Sequence, residues 1–368
     1  MLLVNGTIYK FLEMINGKKL VCFGAGQVLK KFIETYADLH LESKIFCIAD
    51  NMSSKIGKKV QIVNRECPII SVNDLVNMEN IIILITCRAV YDVYTQLGEY
   101  QQLNNVCCWA ANYIHSETNQ YLNQKRWYPV HYRLTKEPLI PKKIHYCWFG
   151  KNPIPKRNRE WMDSWKRYCP DYEIIRWDEN NYDISKNDYM YQAYKAGKWG
   201  FVPDYARLDI IYRYGGVYLD TDVELVKNID ELLYQKAFAG IDGTQYVSLG
   251  LGFGAYPGCQ VIKEIRDTYQ TKQFLKEDGT YDLTASPIIQ KSFFRENGYI
   301  NNGDYQVIKD MTVYPEKVLS AKCLWTGRIQ ITEHTFAIHH YDASWTSENM
   351  KREIFLNKQL FQEICKGE

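Results

Sequence analysis

The chain has 368 residues, 46% hydrophobic and 24% charged. That is the balance of a soluble globular protein, long enough for two domains with real cores. Lysine and arginine number 45 against 43 acidic residues, a net charge of +2, so nothing demands nucleic acid or an anionic membrane as a partner.

The first residues, Met1 to Lys19, are broken by Asn5, Lys10, Glu13 and Asn16 and do not read as a signal peptide. Lys19–Phe23 reads as a buried strand, Gly24-Ala25-Gly26 as a turn and Val28–Tyr36 as a helix. Lys44–Ala49 is a second strand ending at Asp50; Ile81–Thr86 and Val106–Trp109 are two more. Strand and helix signals in alternation predict a small parallel α/β sheet over residues 1–125. Ile81–Ile85 is also the longest plain aliphatic run and is far too short to span a membrane.

Gly24, Gly26 and Asp50 imitate a dinucleotide fingerprint, but Leu29 stands where the third glycine belongs. The segment resembles the Rossmann-like accessory domains attached to some polysaccharide enzymes. A scaffold or assembly role is therefore expected, with an NAD site as the rival.

A polar, aromatic stretch between residues 115 and 140 ends in Glu137-Pro138-Leu139-Ile140-Pro141 and suits a linker. The second domain is expected over residues 139–368. It opens with Lys143–Gly150, a strand running into a turn. A helix over Asn158–Tyr168, a strand over Tyr172–Trp177 and a strong helix over Asp204–Tyr214 follow. Gly215-Gly216 breaks that helix, and Val217-Tyr218-Leu219 forms a short strand ending at Asp220.

The next residues carry the chemistry. Asp220 and Asp222 are separated by Thr221 alone. In an extended chain, alternate side chains share a side, so both carboxylates would face one spot; if the chain turns, one would act through water. Such a pair holds a hard divalent cation that keeps open positions for phosphate oxygens. Upstream, Asp204 and Arg207 are three residues apart and share a helix face, while Leu208, Ile210 and Ile211 bury the others. An Asp and an Arg placed there can hydrogen-bond sugar hydroxyls. A bare acidic pair is a weak signal; this ordered block is a strong one.

The block Phe201–Ile210, continued through Gly215–Asp222, resembles the DXD-containing sugar-transferase family. That family includes capsular polysaccharide glycosyltransferases and yeast-type initiating mannosyltransferases, with the clostridial glucosylating toxins as remote kin. Ile140–Gly150, Ser164-Trp165 and Cys169–Tyr172 fit the same pattern, as does Ala337–Trp345. The resemblance implies an α/β protein whose second domain has a GT-A type fold and retains anomeric configuration. It implies that Trp148 lines the nucleotide base and that Asp204 and Arg207 contact the transferred sugar. Asp220 and Asp222 would bind Mn²⁺ or Mg²⁺ and the donor diphosphate, with Asp222 the direct ligand. His339 would complete the metal sphere or touch the diphosphate; strand alternation lets one of His339 and His340 point inward, and the resemblance favours His339, which holds the family's more regular position. Ser344 and Trp345 would close over the diphosphate. Pro203 is a departure, because relatives carry a small residue there, yet proline suits a first helical turn.

No catalytic base is nominated, since retaining transfer needs no strong nucleophile. Asp242 and the glycine-rich stretch Ser248–Gly254 either border the acceptor or merely shape a strand edge. The expected partners are a nucleotide-sugar donor, UDP- or GDP-linked, and a glycan or lipid-linked acceptor in surface-polysaccharide synthesis. Peripheral membrane association and homo-oligomer formation stay open. The 11 cysteines form no CxxC pairs, which suits a reducing compartment and excludes a regular zinc site. The expected location is the cytoplasm, including the inner membrane face. Two rivals are an NAD-linked sugar oxidoreductase and a phosphatase of the haloacid dehalogenase type, with Asp220 as its nucleophile.

Overall fold

Apolar runs too uniform to alternate fit strands that are covered on both faces. The computed structural model describes residues 1–125, 131–342 and 346–366, and such runs build its first sheet. The chain divides into two compact units. One comprises Met1–Arg126, Leu324–Gly327 and Ser347–Glu368; the other comprises Trp127–Cys323 and Arg328–Thr346.

The first unit contains strands β1 (Leu2–Leu3), β2 (Lys19–Phe23), β3 (Ile45–Ala49), β4 (Lys59–Ile62), β5 (Arg65–Ile70), β6 (Ile81–Ile85) and β7 (Cys107–Ala110). Its helices are α1 (Ile8–Met14), α2 (Gln27–Thr35), α3 (Val72–Val76), α4 (Val90–Gly98) and α5 (Ala111–Lys125). The sheet order is β1-β7-β6-β2-β3-β5-β4, parallel except for the β4–β5 hairpin. Successive side chains of β2 take opposite faces. Leu20 and Cys22 pack with Phe11, Leu29 and Phe32 on one side. Val21 and Phe23 pack with Leu75, Val90 and Val93 on the other. Helix α5 occupies much of the stretch expected to be a linker. Ala111 and Ile114 on its first turn are buried, which its polar later residues conceal.

The second unit contains β8 (Lys143–Cys147), β9 (Glu173–Trp177), β10 (Gly216–Tyr218), β11 (Val223–Leu225), β12 (Ala237–Ile241), β13 (Val247–Ser248), β14 (Phe253–Ala255), β15 (Gln306–Ile308), β16 (Met311–Tyr314) and β17 (Ala337–His339). Its helices are α6 (Lys156–Tyr168), α7 (Asp188–Lys195), α8 (Pro203–Tyr214), α9 (Gln260–Asp267), α10 (Ser286–Glu296) and α11 (Glu316–Leu319). The main sheet runs β15-β16-β12-β14-β10-β8-β9, with β13 on β12, and a separate ladder joins β11 to β17. The main sheet is mixed: β8 is parallel to β9 and β10, while β14 is antiparallel to β10 and β12.

The last helix, α12 (Glu348–Lys366), is grouped with the first unit. A tail following a long second domain carries no sequence mark of which core it joins. Its Leu360 and Phe361 enter the α3–α4 core, with Phe361 edge-on to Tyr113 at 5.0 Å. Asn357 is buried, its Oδ1 accepting the Tyr91 N–H at 3.0 Å and its Nδ2 donating to the Arg88 carbonyl at 2.6 Å. Helix α4 has Ala89 at its N-cap and no side-chain cap of its own. Asn357 therefore satisfies one of its free N–H groups from a distant part of the chain.

Candidate active site

Helix α8 is buried along most of its length, and Pro203 occupies its first turn, where a missing N–H costs nothing. Burying Asp204 and Arg207, each 4% exposed, demands mutual neutralisation. Arg207 Nη2 donates to Asp204 Oδ1 at 2.8 Å, and Nη1 lies 3.5 Å from Asp220 Oδ2. Arg207 Nε donates to the Pro203 carbonyl at 3.0 Å. Burial drives the Asp204 carboxyl up to about 7, with Arg207 pulling against it and Asp220 adding to it.

The opposite face of α8 carries a feature that sequence reasoning missed. Asp209 is 1% exposed, accepting from Tyr182 Oη at 2.9 Å and paired with Arg213 at 3.0 Å and Arg266 at 3.2 Å. Arg213 sits four residues on along the same helix, a spacing the sequence shows, but Tyr182 and Arg266 come from distant parts of the chain that no local spacing announces.

Beyond α8 the chain must reverse. Gly216 adopts φ +101°, and a Cβ there would approach the Lys143 carbonyl at 2.9 Å and His145 Nε2 at 3.0 Å. Buried His145 fixes this corner. Trp177 Nε1 donates to its Nδ1 at 3.0 Å, so its Nε2 donates to the Gly215 carbonyl at 2.9 Å. Burial pushes the imidazole down to about 4.

The strand stops at Tyr218, one residue earlier than expected, and the chain turns: the Val223 N–H donates to the Asp220 carbonyl at 3.0 Å. Strand alternation is therefore not what aims Asp220 and Asp222. Tertiary contacts do so instead. Tyr218 Oη donates to Asp220 Oδ1 at 2.9 Å. Ladder β11–β17 sets Val223 opposite His339, which brings His339 Nε2 to 3.3 Å from Asp222 Oδ1. The Asp342 N–H donates to Asp222 Oδ2 at 2.8 Å. Ser164 and Trp165 hold β11 in place, through Ser164 Oγ accepting from Leu225 N and Trp165 Nε1 donating to the Val223 carbonyl, each at 2.8 Å.

Asp220, Asp222 and His339 each offer a ligand atom, all within 4.8 Å of one another. Burial raises the Asp220 carboxyl; Arg207 opposes this and nearby Asp222 reinforces it. Burial also acts to raise Asp222, but His339 outweighs it and holds that carboxyl below its usual range. His339 is raised in turn, since Asp222 overcomes the effect of burial. The donor set of two carboxylates and an imidazole fits a divalent cation with mainly oxygen preference. Among the described residues, buried His339 Nδ1 has no hydrogen-bond partner, so the ring is not committed there to a second hydrogen bond. His340 turns away, stacked on Trp161 at 4.1 Å, with Nε2 2.8 Å from Glu224 Oε2.

Gly250 is the glycine of the Ser248–Gly254 stretch that matters here. A Cβ on it would lie 2.7 Å from Asp220 Oδ2 and 3.2 Å from Arg207 Nη1. Asp242 folds its carboxylate onto its own loop, accepting from Thr244 N at 2.7 Å, and lies close enough to contribute to raising His339. Trp148 stands just beyond β8, its indole N–H donating to the Asn152 carbonyl at 2.6 Å. Among the described residues, no hydrogen bond, ion pair or ring contact ties Trp148 to the acidic group. Ser344 and Trp345 lie outside the described residues.

In the first unit, the would-be ribose-binding Asp50 is already engaged. It accepts from Lys55 Nζ at 2.9 Å, Met52 N at 3.0 Å and Ala25 N at 3.2 Å.

Residues 155–239 match the family described as the glycosyltransferase sugar-binding region containing the DXD motif. That stretch holds Asp204, Arg207, Asp220 and Asp222. Inositol phosphoceramide mannosyltransferase 3 of Schizosaccharomyces pombe is 34% identical over 106 residues, covering 27% of this chain and 29% of that protein. Mannosyl phosphorylinositol ceramide synthase SUR1 of Saccharomyces cerevisiae is 34% identical over 107 residues, 28% of each. The chain thus spans less than a third of the length of these curated relatives. Among solved structures, PaToxG glycosyltransferase superposes with a TM-score of 0.36 at 18% identity, over 50% of this chain and 79% of that one.

Proposed function

We propose that this chain is a metal-dependent glycosyltransferase of GT-A type that moves a hexose from a nucleotide-sugar donor to a glycan or lipid-linked acceptor. The observation that carries this reading is the gathering of Asp220, Asp222 and His339 beside the buried Asp204–Arg207 pair. Mn²⁺ or Mg²⁺ held by those three residues would supply positive charge against the donor diphosphate, the leaving group.

The chain's own residues do the rest. Arg207 is locked between Asp204 and Asp220, so its guanidinium holds both carboxylates in fixed directions. Such preorganisation favours one sugar pose over many. Asp204, poised near neutrality, can both donate to and accept from a sugar hydroxyl. We read the transfer as retaining, with no side chain assigned as base. Both yeasts' relatives carry names that speak of mannosyl transfer to inositol phosphoceramide, which favours a lipid-linked acceptor here, in surface-polysaccharide assembly at the inner membrane face. The first unit is read as a Rossmann-like accessory domain.

The test is a thermal-shift and hydrolysis screen of UDP- and GDP-sugars, each with and without Mn²⁺. Metal-dependent stabilisation by one of them, with slow release of the nucleoside diphosphate, is the expected result. A shift with NAD and none with any nucleotide sugar would overturn the reading.

A further inference from the structure

Lys322 is rooted in a short ladder of the second unit. It bridges Ile329 in antiparallel fashion, the Cys323 N–H donates to the Arg328 carbonyl at 2.9 Å, and the Gln330 N–H donates to the Ala321 carbonyl at 2.8 Å. The side chain is partly buried, and its Nζ lies 3.3 Å from His340 Nδ1. An ammonium can only donate, so Nδ1 accepts. The proton of the ring then sits on Nε2, which donates to Glu224 Oε2 at 2.8 Å. His340 is therefore neutral. Its ring lies flat on Trp161, the centroids 4.1 Å apart, and its backbone N–H donates to the Asp222 carbonyl at 2.8 Å. The group that holds Lys322 is thus tied to the acidic turn.

A neutral imidazole orients an ammonium without cancelling its charge. Among the described residues Lys322 forms no salt bridge. Burial pushes its ammonium below the usual lysine range; Asp222 and Glu224 act against this, and Arg157 adds to it. Arg157 is itself paired with Asp342, whose N–H donates to Asp222 Oδ2 at 2.8 Å. A hydroxyl or an amide could serve His340 Nδ1 without the cost of drawing a charge out of water, so the hydrogen bond alone does not account for a lysine here. A divalent cation on Asp222 would also take up the carboxylate charge that now offsets the ammonium. Two cations beside one carboxylate repel each other unless an anion lies between them.

We propose that Lys322 is a phosphate-binding residue of this site, its ammonium taking an oxygen of the diphosphate held at the Asp220–Asp222–His339 cluster. The ladder and the stacked imidazole set the lysine in place beforehand, so little freedom is lost in ordering it when the anion binds. The inference rests on the transferase reading for the identity of that diphosphate, which is the leaving half of the donor.

The experiment is calorimetric titration of the full chain with Mn²⁺ and then, at saturating Mn²⁺, with UDP, GDP or inorganic pyrophosphate. Lys322→Gln removes the charge and keeps a donor for His340; Lys322→Met removes both. Each should lose about tenfold or more in affinity for the diphosphate that the wild type binds. Mn²⁺ affinity in the absence of any diphosphate should hold or rise, because a like charge has gone. A lysine that merely supports the fold would move the two affinities together, so a parallel fall for metal and diphosphate overturns the proposal. A loss confined to Lys322→Met does the same, since it marks a role through His340 alone. Undiminished UDP or GDP binding by both variants sinks the Lys322 assignment and leaves the transferase reading standing. Lys322-dependent binding of pyrophosphate, with neither UDP nor GDP bound, would sink the transferase reading and keep the phosphate site. A wild type that binds none of the three overturns both.

Discussion

His339 Nε2 lies 3.3 Å from Asp222 Oδ1, although the two residues come from the middle and the end of the second unit's sequence. The contact exists because β17 pairs with β11 directly after the acidic turn. It converts two acidic residues on a turn into a three-ligand cluster, and it makes the site testable residue by residue.

Asp222 is held by His339 and by the Asp342 N–H, and its backbone carbonyl accepts from His340 N. Replacing it with Asn should keep the shape and remove the charge. Metal-dependent turnover is expected to fall about a hundredfold or more, as when a principal transition-state charge partner is lost, with little change in circular dichroism. Steady-state release of the nucleoside diphosphate checks this, and full activity in D222N would remove Asp222 from the metal site.

Gly250 has no room for a side chain. In Gly250→Ala the new methyl would meet Asp220 Oδ2 at 2.7 Å, closer than any real contact, so the carboxylate and Arg207 must shift. A displacement of this kind typically costs about tenfold to a hundredfold in kcat. Kinetics on the purified variant, alongside its melting temperature, separate a displaced site from a broken fold. Unchanged kcat would mean that Asp220 has slack that the structure does not show.

His145 predicts a pH dependence of stability. Its folded value is pushed down to about 4 from an ordinary 6.5 by burial. Between those values the unfolded chain binds the extra proton, so stability rises with pH. The contribution is fully present above about pH 6.5 and lost as pH falls through about 4, amounting to roughly 3 kcal/mol. Urea unfolding at a series of pH values should show a steeper acid loss in the wild type than in His145→Gln. Parallel pH profiles would show that His145 is not the group responsible.

Asn357 caps α4 from the last helix. Asn357→Ala leaves the Tyr91 N–H without its partner, while the Arg88 carbonyl keeps the Val90 N–H at 2.9 Å, which should cost about 1–3 kcal/mol. Denaturant titration should show a lower midpoint, and hydrogen exchange should quicken first at the start of α4. If exchange there is unaltered, the cap is not what holds α12 in place.

The physical origin of these expectations differs between the parts of the molecule. Much was legible in local sequence. The uniform apolar runs of β2 and β6 announced a sheet covered on both faces. Pro203 marked the start of α8 within a residue, and Gly215-Gly216 marked its end, because proline and glycine act on their own backbone and need no partner. The three-residue spacing of Asp204 and Arg207 fixed their shared helix face, and their ion pair follows from it.

What sequence left open depended on residues distant in the chain. Period-two reasoning offered Asp220 and Asp222 a common side by strand geometry, but the chain turns at Asp220, and Tyr218, Arg207 and His339 do the aiming. A single chain cannot display the Asp209 network, the fit of Gly250 against Asp220, or the choice of the first unit's core by α12. Each of these is set by excluded volume or by charge neutralisation between elements that meet only after folding. By itself the sequence determined the two α/β segments, the acidic motif and its helix, since those rest on local periodicity and backbone restriction. Only the tertiary structure decided how the acids converge with His339, because burial forces distant charged groups to find one another.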